Sequence, residues 1–212
     1  MKKRIAILKH ILYAILLGVS MAACLSQTDT QTQQTEAPQT APAAPEATEE
    51  DATPVPDPAS FVIAKGRVGN VRIGMPLEDM RSRVAKGITI ADTTLSQEGM
   101  QATAYLLHPQ NEQKGILVEQ TCEPTCRVWR ISVHNANYKT TAGLGIGSKY
   151  GEVQQAYPIS YLVMGEGNFV AVSEEAGFSF ILDVSQLPQE KLAKLKPADI
   201  PANTLVKGLL IY

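Results

Sequence analysis

The apolar residues of this chain recur with helical spacing in two segments, 71–84 and 144–157, and each segment predicts a short amphipathic helix. Helix-start signals stand at both, since Pro76 suits the first helical position and Ser148 suits an N-cap. We therefore expect a glycine turn and then about three turns of helix in each segment. The apolar stripes, at positions i, i+3 and i+7, are Leu77, Met80 and Val84 in the first segment and Tyr150, Val153 and Tyr157 in the second.

Eight further apolar runs are separated by Gly, Asn, Glu and Pro, and they predict β-strands. Four of these runs follow each predicted helix, which is typical of antiparallel meanders. A short additional helix is predicted between Pro188 and Lys196. The expected strands are 88–92, 102–108, 115–120 and 127–135 after the first helix, and 160–164, 169–173, 178–184 and 205–212 after the second.

The two groups of elements agree in pattern, which indicates an internal duplication. A shift of 73 residues places Gly74 on Gly147, and the last strand of each group also agrees, with 128–134 over 206–212. Chance agreement of two amphipathic helices is the alternative. We expect an α+β fold of two similar halves, each a short helix packed on an antiparallel β-sheet. The halves would cover about 66–135 and 138–212.

Residues 24–59 lack this periodicity. They are rich in Gln, Thr, Ala and Pro, and they carry seven acidic residues and no Lys or Arg. Because such a segment buries too little apolar surface to offset its ordering entropy, we expect a disordered acidic tether leading to a globular domain over 60–212. From residue 61 onward the chain has 15 basic and 14 acidic residues. This near-neutral balance argues against a nucleic-acid partner, which would need a basic surface.

The first 23 residues have the anatomy of a secretion signal. Basic residues lie near the start, 11–19 form a short apolar stretch, and two small alanines precede the expected cleavage point. The alternative of a retained membrane anchor would need about 20 apolar residues, and Lys9 and His10 interrupt this stretch. We therefore expect residues 1–23 to be removed as a signal peptide.

A cysteine follows the cleavage point directly, and the run Met21-Ala22-Ala23-Cys24 resembles the lipobox of bacterial lipoproteins, with Met21 where that family usually has leucine. The resemblance implies that Cys24 is acylated and becomes the mature N-terminus; an ordinary cleaved signal is the alternative. Leu25, in place of aspartate, resembles the outer-membrane sorting signal of enterobacterial lipoproteins. Several acyl chains would hold the protein stably on the membrane. We expect an outer-membrane anchor and a domain facing the periplasm.

Cys122 and Cys126 flank a three-residue turn between two predicted strands. An exported protein meets an oxidising compartment, so we expect a disulfide between them. The alternatives are a redox-active pair and a metal site completed by His108 and His134.

Pairing residues whose numbers sum to 248 sets a register for this hairpin, with Cys122 opposite Cys126 and Leu117 opposite Ile131. That register predicts two faces. The core face would hold Leu117, Trp129, Ile131 and Val133, and the other face would hold Val118, Arg130, Ser132 and His134.

The phrases VRIGMPLEDM and LGIGSKYGEV are similar to the glycine-then-helix openings of small tandem helix-plus-sheet envelope lipoproteins. The lipoprotein subunit of the outer-membrane β-barrel assembly machine and the β-lactamase inhibitor proteins are the families concerned. This resemblance implies a fold of repeated helix-plus-sheet units and carries over no functional residue.

The function expected from these features is a non-catalytic binding or scaffolding module that contacts envelope proteins or cell-wall material. No catalytic residue, cofactor or metal ligand is predicted. The competing hypothesis is a periplasmic, hydrolase-like enzyme that uses His108 or His134 with a nearby carboxylate such as Glu119.

Overall fold

A computed structural model describes residues 54–97 and 99–212 of the chain. It contains two α-helices, α1 (Leu77–Ser82) and α2 (Tyr150–Ala156), and twelve strands. Three short 3-10 helices cover Pro58–Phe61, Gln189–Lys194 and Pro197–Asp199. The strands are β1 (Val62–Ala64), β2 (Arg67–Val68), β3 (Val71–Arg72), β4 (Ile88–Gln97), β5 (Met100–Pro109), β6 (Ile116–Cys122), β7 (Cys126–Val133), β8 (Lys139–Thr140), β9 (Tyr161–Gly165), β10 (Asn168–Ser173), β11 (Phe178–Leu182) and β12 (Val206–Ile211).

The strands form two sheets, and the α+β class expected from the sequence is confirmed. The larger sheet has eight strands in the order β4-β5-β6-β7-β12-β11-β10-β9, and every neighbouring pair in it is antiparallel. The smaller sheet has the order β3-β2-β1-β8, with β1 and β8 parallel. The four strands that follow α1 and the four that follow α2 are each a meander, and β7 pairs with β12 to join them.

One face of the eight-stranded sheet carries the main core, and both helices turn their predicted stripes toward that core. Val84 and Tyr157, the third member of each stripe, are only partly buried. Alternating strand residues such as Phe180, Leu209 and Ile131 complete the core. The buried helical residues are Leu77 and Met80 in α1, and Tyr150 and Val153 in α2.

Both helices are shorter than the predicted three turns, and each begins one residue later than expected. Pro76 is the N-cap of α1, and its carbonyl accepts the first helical hydrogen bond from Met80 at 3.0 Å. Lys149 is the N-cap of α2, in place of Ser148. The Ser148 hydroxyl instead accepts a hydrogen bond from the Gly145 N–H at 3.0 Å, so it closes the glycine turn that precedes the helix.

The hairpin of β6 and β7 departs from the predicted register because β7 contains a bulge. Cys122 lies opposite Cys126 as expected, but Glu119 lies opposite Arg130, which leaves Trp129 as an extra residue in its strand. The prediction for Trp129 was therefore wrong, and 55% of its surface is exposed.

Beyond the bulge, Leu117 and Val118 of β6 lie on the faces opposite to those predicted. Val118, predicted on the outer face, is fully buried in the core opposite Ile131. Leu117, predicted in the core, pairs with Ser132 on the other face.

The glycine turns before the two helices make the same set of backbone hydrogen bonds. Gly74 donates to the Val128 carbonyl at 2.8 Å, and Val128 donates back to Met75 at 2.9 Å. Gly147 donates to the Val206 carbonyl at 2.9 Å, and Val206 donates back to Ser148 at 2.9 Å. Val128 of β7 and Val206 of β12 are thereby each tied to the turn that precedes the helix of the same group.

The helices of the described residues are all too short, or too polar, to cross a membrane.

We predict that both glycine turns need glycine for backbone reasons alone. Gly74 and Gly147 have φ of 78° and 87°, and within the described residues an added Cβ at either position would meet no atom within 4 Å. Gly74→Ala and Gly147→Ala should each lower the free energy of unfolding, measured by urea denaturation, by about 1 kcal/mol.

Gly165→Ala is the matched control, because that site is equally open and its φ is not positive. It should change the free energy of unfolding by less than about 0.5 kcal/mol. Equal effects for all three variants would contradict the prediction.

Candidate functional site

The face of the eight-stranded sheet opposite the core carries a second apolar cluster. Val170, Val172 and Ile181 are almost fully buried there, and Leu210 packs against them. Strand pairing sets this arrangement, since Val170 lies opposite Ile181 on the neighbouring strand. Val170, Val172 and Leu210 also line a groove, so this face is concave where they lie.

An ion cluster lies at the rim of this concave face. The Arg130 guanidinium donates to both carboxylate oxygens of Glu119, from Nε at 2.7 Å and from Nη2 at 2.8 Å. Its Nη1 donates to Glu166 Oε1 at 2.8 Å. Arg130 and Glu119 are largely buried, with 16% and 12% of their side chains exposed, whereas Glu166 is 51% exposed. These hydrogen bonds raise the pKa of Arg130, with burial acting in the opposite direction.

The contact between Arg130 and Glu166 shows how strongly the sheet curls. Arg130 lies on β7, and Glu166 lies in the turn between β9 and β10. Between three and four strand spacings separate β7 from this turn, which is about 14–19 Å in a flat sheet. The Arg130 guanidinium is already bound to Glu119 on β6, on the other side of β7, so it cannot extend across this distance. The twist of the sheet therefore brings the β9–β10 hairpin back over the concave face.

The curled hairpin encloses a groove of about 180 Å³. The floor of the groove is apolar, and two tyrosines together with Arg130 and Glu166 of the ion cluster complete its lining. The lining residues are Arg130, Tyr161, Val163, Gly165, Glu166, Asn168, Val170, Val172, Leu210 and Tyr212. A concave apolar surface with a few placed polar groups is the usual form of a binding site.

The charge at the rim of the groove does not cancel. One guanidinium faces two carboxylates, so the cluster of Arg130, Glu119 and Glu166 has a net charge of −1. Glu119 is held at two points and Glu166 at one, and Glu166 is the more exposed. Of the two charged residues that line the groove, Arg130 and Glu166, the carboxylate is the more exposed, so it lies at the edge of the apolar surface.

The two histidines and the carboxylate named in the enzyme hypothesis each have different neighbours in the structure. His108 lies on β5, and its Nδ1 is 2.9 Å from the Pro109 carbonyl. His134 follows β7, where desolvation of the ring, and then the charge of Lys114, lower its pKa. Both oxygens of Glu119 are bound by Arg130. Within residues 54–97 and 99–212, neither imidazole has a hydrogen bond to a carboxylate.

Cys122 and Cys126 form the expected disulfide, with an S–S distance of 2.07 Å. The bond closes the β6–β7 hairpin at the point where the strands separate. Among the described residues, no group of three His, Cys, Asp or Glu side chains is arranged to hold a metal ion. Cys24 and Leu25, the residues of the predicted anchor and sorting signal, lie outside the described residues.

The groove was missed by sequence reasoning, although part of its signal was present. Arg130 and Ser132 were correctly expected on the face opposite the core, and Glu119 was named only as a partner for histidine. A register that allowed for the bulge at Trp129 would have placed Glu119 directly opposite Arg130. Glu166 has no such local signal.

Comparison with known proteins adds a likeness of fold. No protein-family model matches the chain, and no curated protein matches it. The crystal structure of the uncharacterized protein YfeY from Escherichia coli is similar, with a TM-score of 0.52 and 12% sequence identity. The match covers 72% of this chain and 98% of that chain. At this identity the likeness shows a common fold only.

We predict that the Arg130–Glu119 pair stabilises the domain more than the Arg130–Glu166 pair does. Arg130→Met leaves the largely buried Glu119 without its partner, so the free energy of unfolding should fall by about 1–3 kcal/mol in urea denaturation. Glu166→Gln removes a half-exposed contact and should cost less than about 1 kcal/mol.

The double variant Glu119→Gln, Arg130→Met is the control for this prediction. Because it removes both charges of the pair together, its cost should be smaller than the sum of the costs of Glu119→Gln alone and Arg130→Met alone. Additive costs, or a Glu166→Gln effect as large as that of Arg130→Met, would show that the described pairing does not carry the stability.

Proposed function

We propose that this chain is an outer-membrane lipoprotein that faces the periplasm and acts as a non-catalytic binding or scaffolding module of the bacterial envelope. The observation that carries the proposal is the run Met21-Ala22-Ala23-Cys24 directly after a charged and then apolar N-terminal segment. The lipid on Cys24 would hold the protein on the membrane. The acidic tether would let the domain stand away from anionic headgroups.

The disulfide supports the exported location. Cys122 and Cys126 are bonded, and such bonds persist in oxidising compartments such as the periplasm and are rare in the cytosol.

The concave groove supports the binding role. Its apolar floor is ordered by strand pairing, and its rim is held by the hydrogen bonds of Arg130 to Glu119 and Glu166. These features give a defined surface for a ligand or a protein partner.

We also propose that the domain arose from two similar halves, about 66–135 and 138–212. The support is the matching pair of glycine turns, in which Gly74 bonds to Val128 and Gly147 bonds to Val206. The two helices bury equivalent apolar positions, and the two meanders meet through the antiparallel pair of β7 and β12.

We predict that Cys24→Ala abolishes lipid attachment. In cells fed a labelled fatty acid, the wild-type chain should carry the label and sediment with membranes. The Cys24→Ala chain should carry no label and leave the membrane fraction. Cys122→Ser combined with Cys126→Ser is the matched control, because it removes the other two cysteines and should keep both label and membrane attachment. An unlabelled wild-type chain would favour an ordinary cleaved signal.

We predict that Leu25→Asp relocates the lipidated protein. If residue 25 is read as a sorting signal, the wild type should co-fractionate with outer membranes on a density gradient, and Leu25→Asp should shift it to inner membranes. Leu25→Val should leave the distribution unchanged. A wild type found in the inner membrane would contradict the outer-membrane location and leave the lipid anchor standing.

A further inference from the structure

Strand β9 is a free edge of the eight-stranded sheet and carries no charge. Its sequence is YLVMG, and Tyr161, Val163 and Met164 are 46%, 42% and 49% exposed. The opposite edge strand, β4, contains Asp92, which binds Arg81 at 2.7 Å. A charge on an edge discourages pairing with another chain, and an uncharged apolar edge invites it. The two edges of this sheet therefore differ in their capacity for pairing.

The geometry of the β9–β10 hairpin determines which N–H and C=O groups of β9 point away from the sheet. The β9–β10 turn has two central residues, Glu166 and Gly167, with φ of 50° and 73°, as in a type I′ turn. Gly165 and Asn168 then form a hydrogen-bonded pair, and this state alternates along the strand, so Val163 also bonds to β10. The N–H and C=O groups of Leu162 and Met164 consequently point away from the sheet. In the part of the chain that the structure describes, no strand pairs with this edge.

We propose that the edge is occupied by β9 of a second copy of this chain, paired antiparallel about a two-fold axis at Val163. In this register Leu162 lies opposite Met164 of the second copy, and the reverse pair follows by symmetry. Each is a hydrogen-bonded pair, so four backbone hydrogen bonds form and all outward groups of Leu162 and Met164 are used.

The side chains fit this register on the groove face. Tyr161 lies opposite Gly165 of the second copy, and Val163 lies opposite Val163. Gly165 lines the groove, and within the described residues an added Cβ there would meet no atom within 4 Å. An aromatic ring placed over an edge glycine fills such a gap. The grooves of the two copies would then meet along the new strand pair.

The charges are compatible with the same pairing. The ladder from Tyr161 to Gly165 contains no residue that is charged at neutral pH, and Glu166 lies beyond its end, opposite Ser160 of the second copy. No like charges are therefore opposed. One strand pair buries a small area compared with known protein interfaces. We therefore expect a weak dimer, whose fraction rises with protein concentration. The inference does not depend on the lipid anchor.

The first test is sedimentation velocity of the full chain in a density-matched detergent over a range of concentrations. The wild type should shift from monomer toward dimer as its concentration rises. Val163→Lys opposes two like charges at the axis and should abolish the dimer over the same range. Thr94→Lys, at an exposed position of edge strand β4, is the matched control and should leave the dimer unchanged.

The second test reads the register directly. In Val163→Cys the two thiols would lie on directly opposite residues, within reach of a disulfide. Mild oxidation should give a covalent dimer that reduction removes, and Thr94→Cys should give none.

The outcomes separate the possible occupants. A wild type that is monomeric at every concentration, with no covalent dimer from Val163→Cys, overturns the proposal and leaves the edge for a strand of a different protein. A dimer that survives Val163→Lys, or equal crosslinking at Thr94→Cys, places the interface elsewhere and also overturns it.

Discussion

The antiparallel pairing of β7 with β12 is the contact on which the rest of the structure depends. It joins two four-stranded meanders into one sheet and fixes both faces of that sheet at once. Ile131 and Ile211 face each other in the core, and the adjacent pair, Ser132 and Leu210, faces the groove. A slip of one residue along this seam would exchange the two faces of every strand on one side of it. The core and the groove are therefore set by a single register.

The spacing of apolar residues along the sequence predicts much of the fold. The eight strands of the larger sheet lie near the predicted apolar runs, although β4 extends to Gln97, beyond the predicted 88–92. The four short strands of the smaller sheet were not predicted. Both helices bury the first two members of each stripe, because a buried face imposes its spacing on the residues that form it. The start of α2 differs from the prediction by one residue, since the Ser148 hydroxyl is used by the Gly145 N–H of the preceding turn. Such competition between a turn and a cap for one hydroxyl depends on backbone geometry and leaves no trace in the spacing.

The candidate site was less accessible from the sequence, for two physical reasons. A single inserted residue, Trp129, moves Glu119 opposite Arg130, and a bulge cannot be read from an alternating pattern that it interrupts. The contact of Arg130 with Glu166 depends on twist that accumulates over five strands. That curvature is a property of the whole sheet, so no short segment encodes it.

The turn at Glu166 shows what holds the hairpin over the groove. A residue other than glycine at φ 50° costs roughly 1–2 kcal/mol in backbone conformation. The half-exposed contact of Glu166 with Arg130 returns less than about 1 kcal/mol, so the ion pair alone does not offset the turn. Burial of Val170 and Val172 against Ile181 contributes more, because each fully buried valine is worth about 1.5 kcal/mol or more. Apolar packing therefore sets the position of the hairpin, while Glu166 sets the charge of the groove rim.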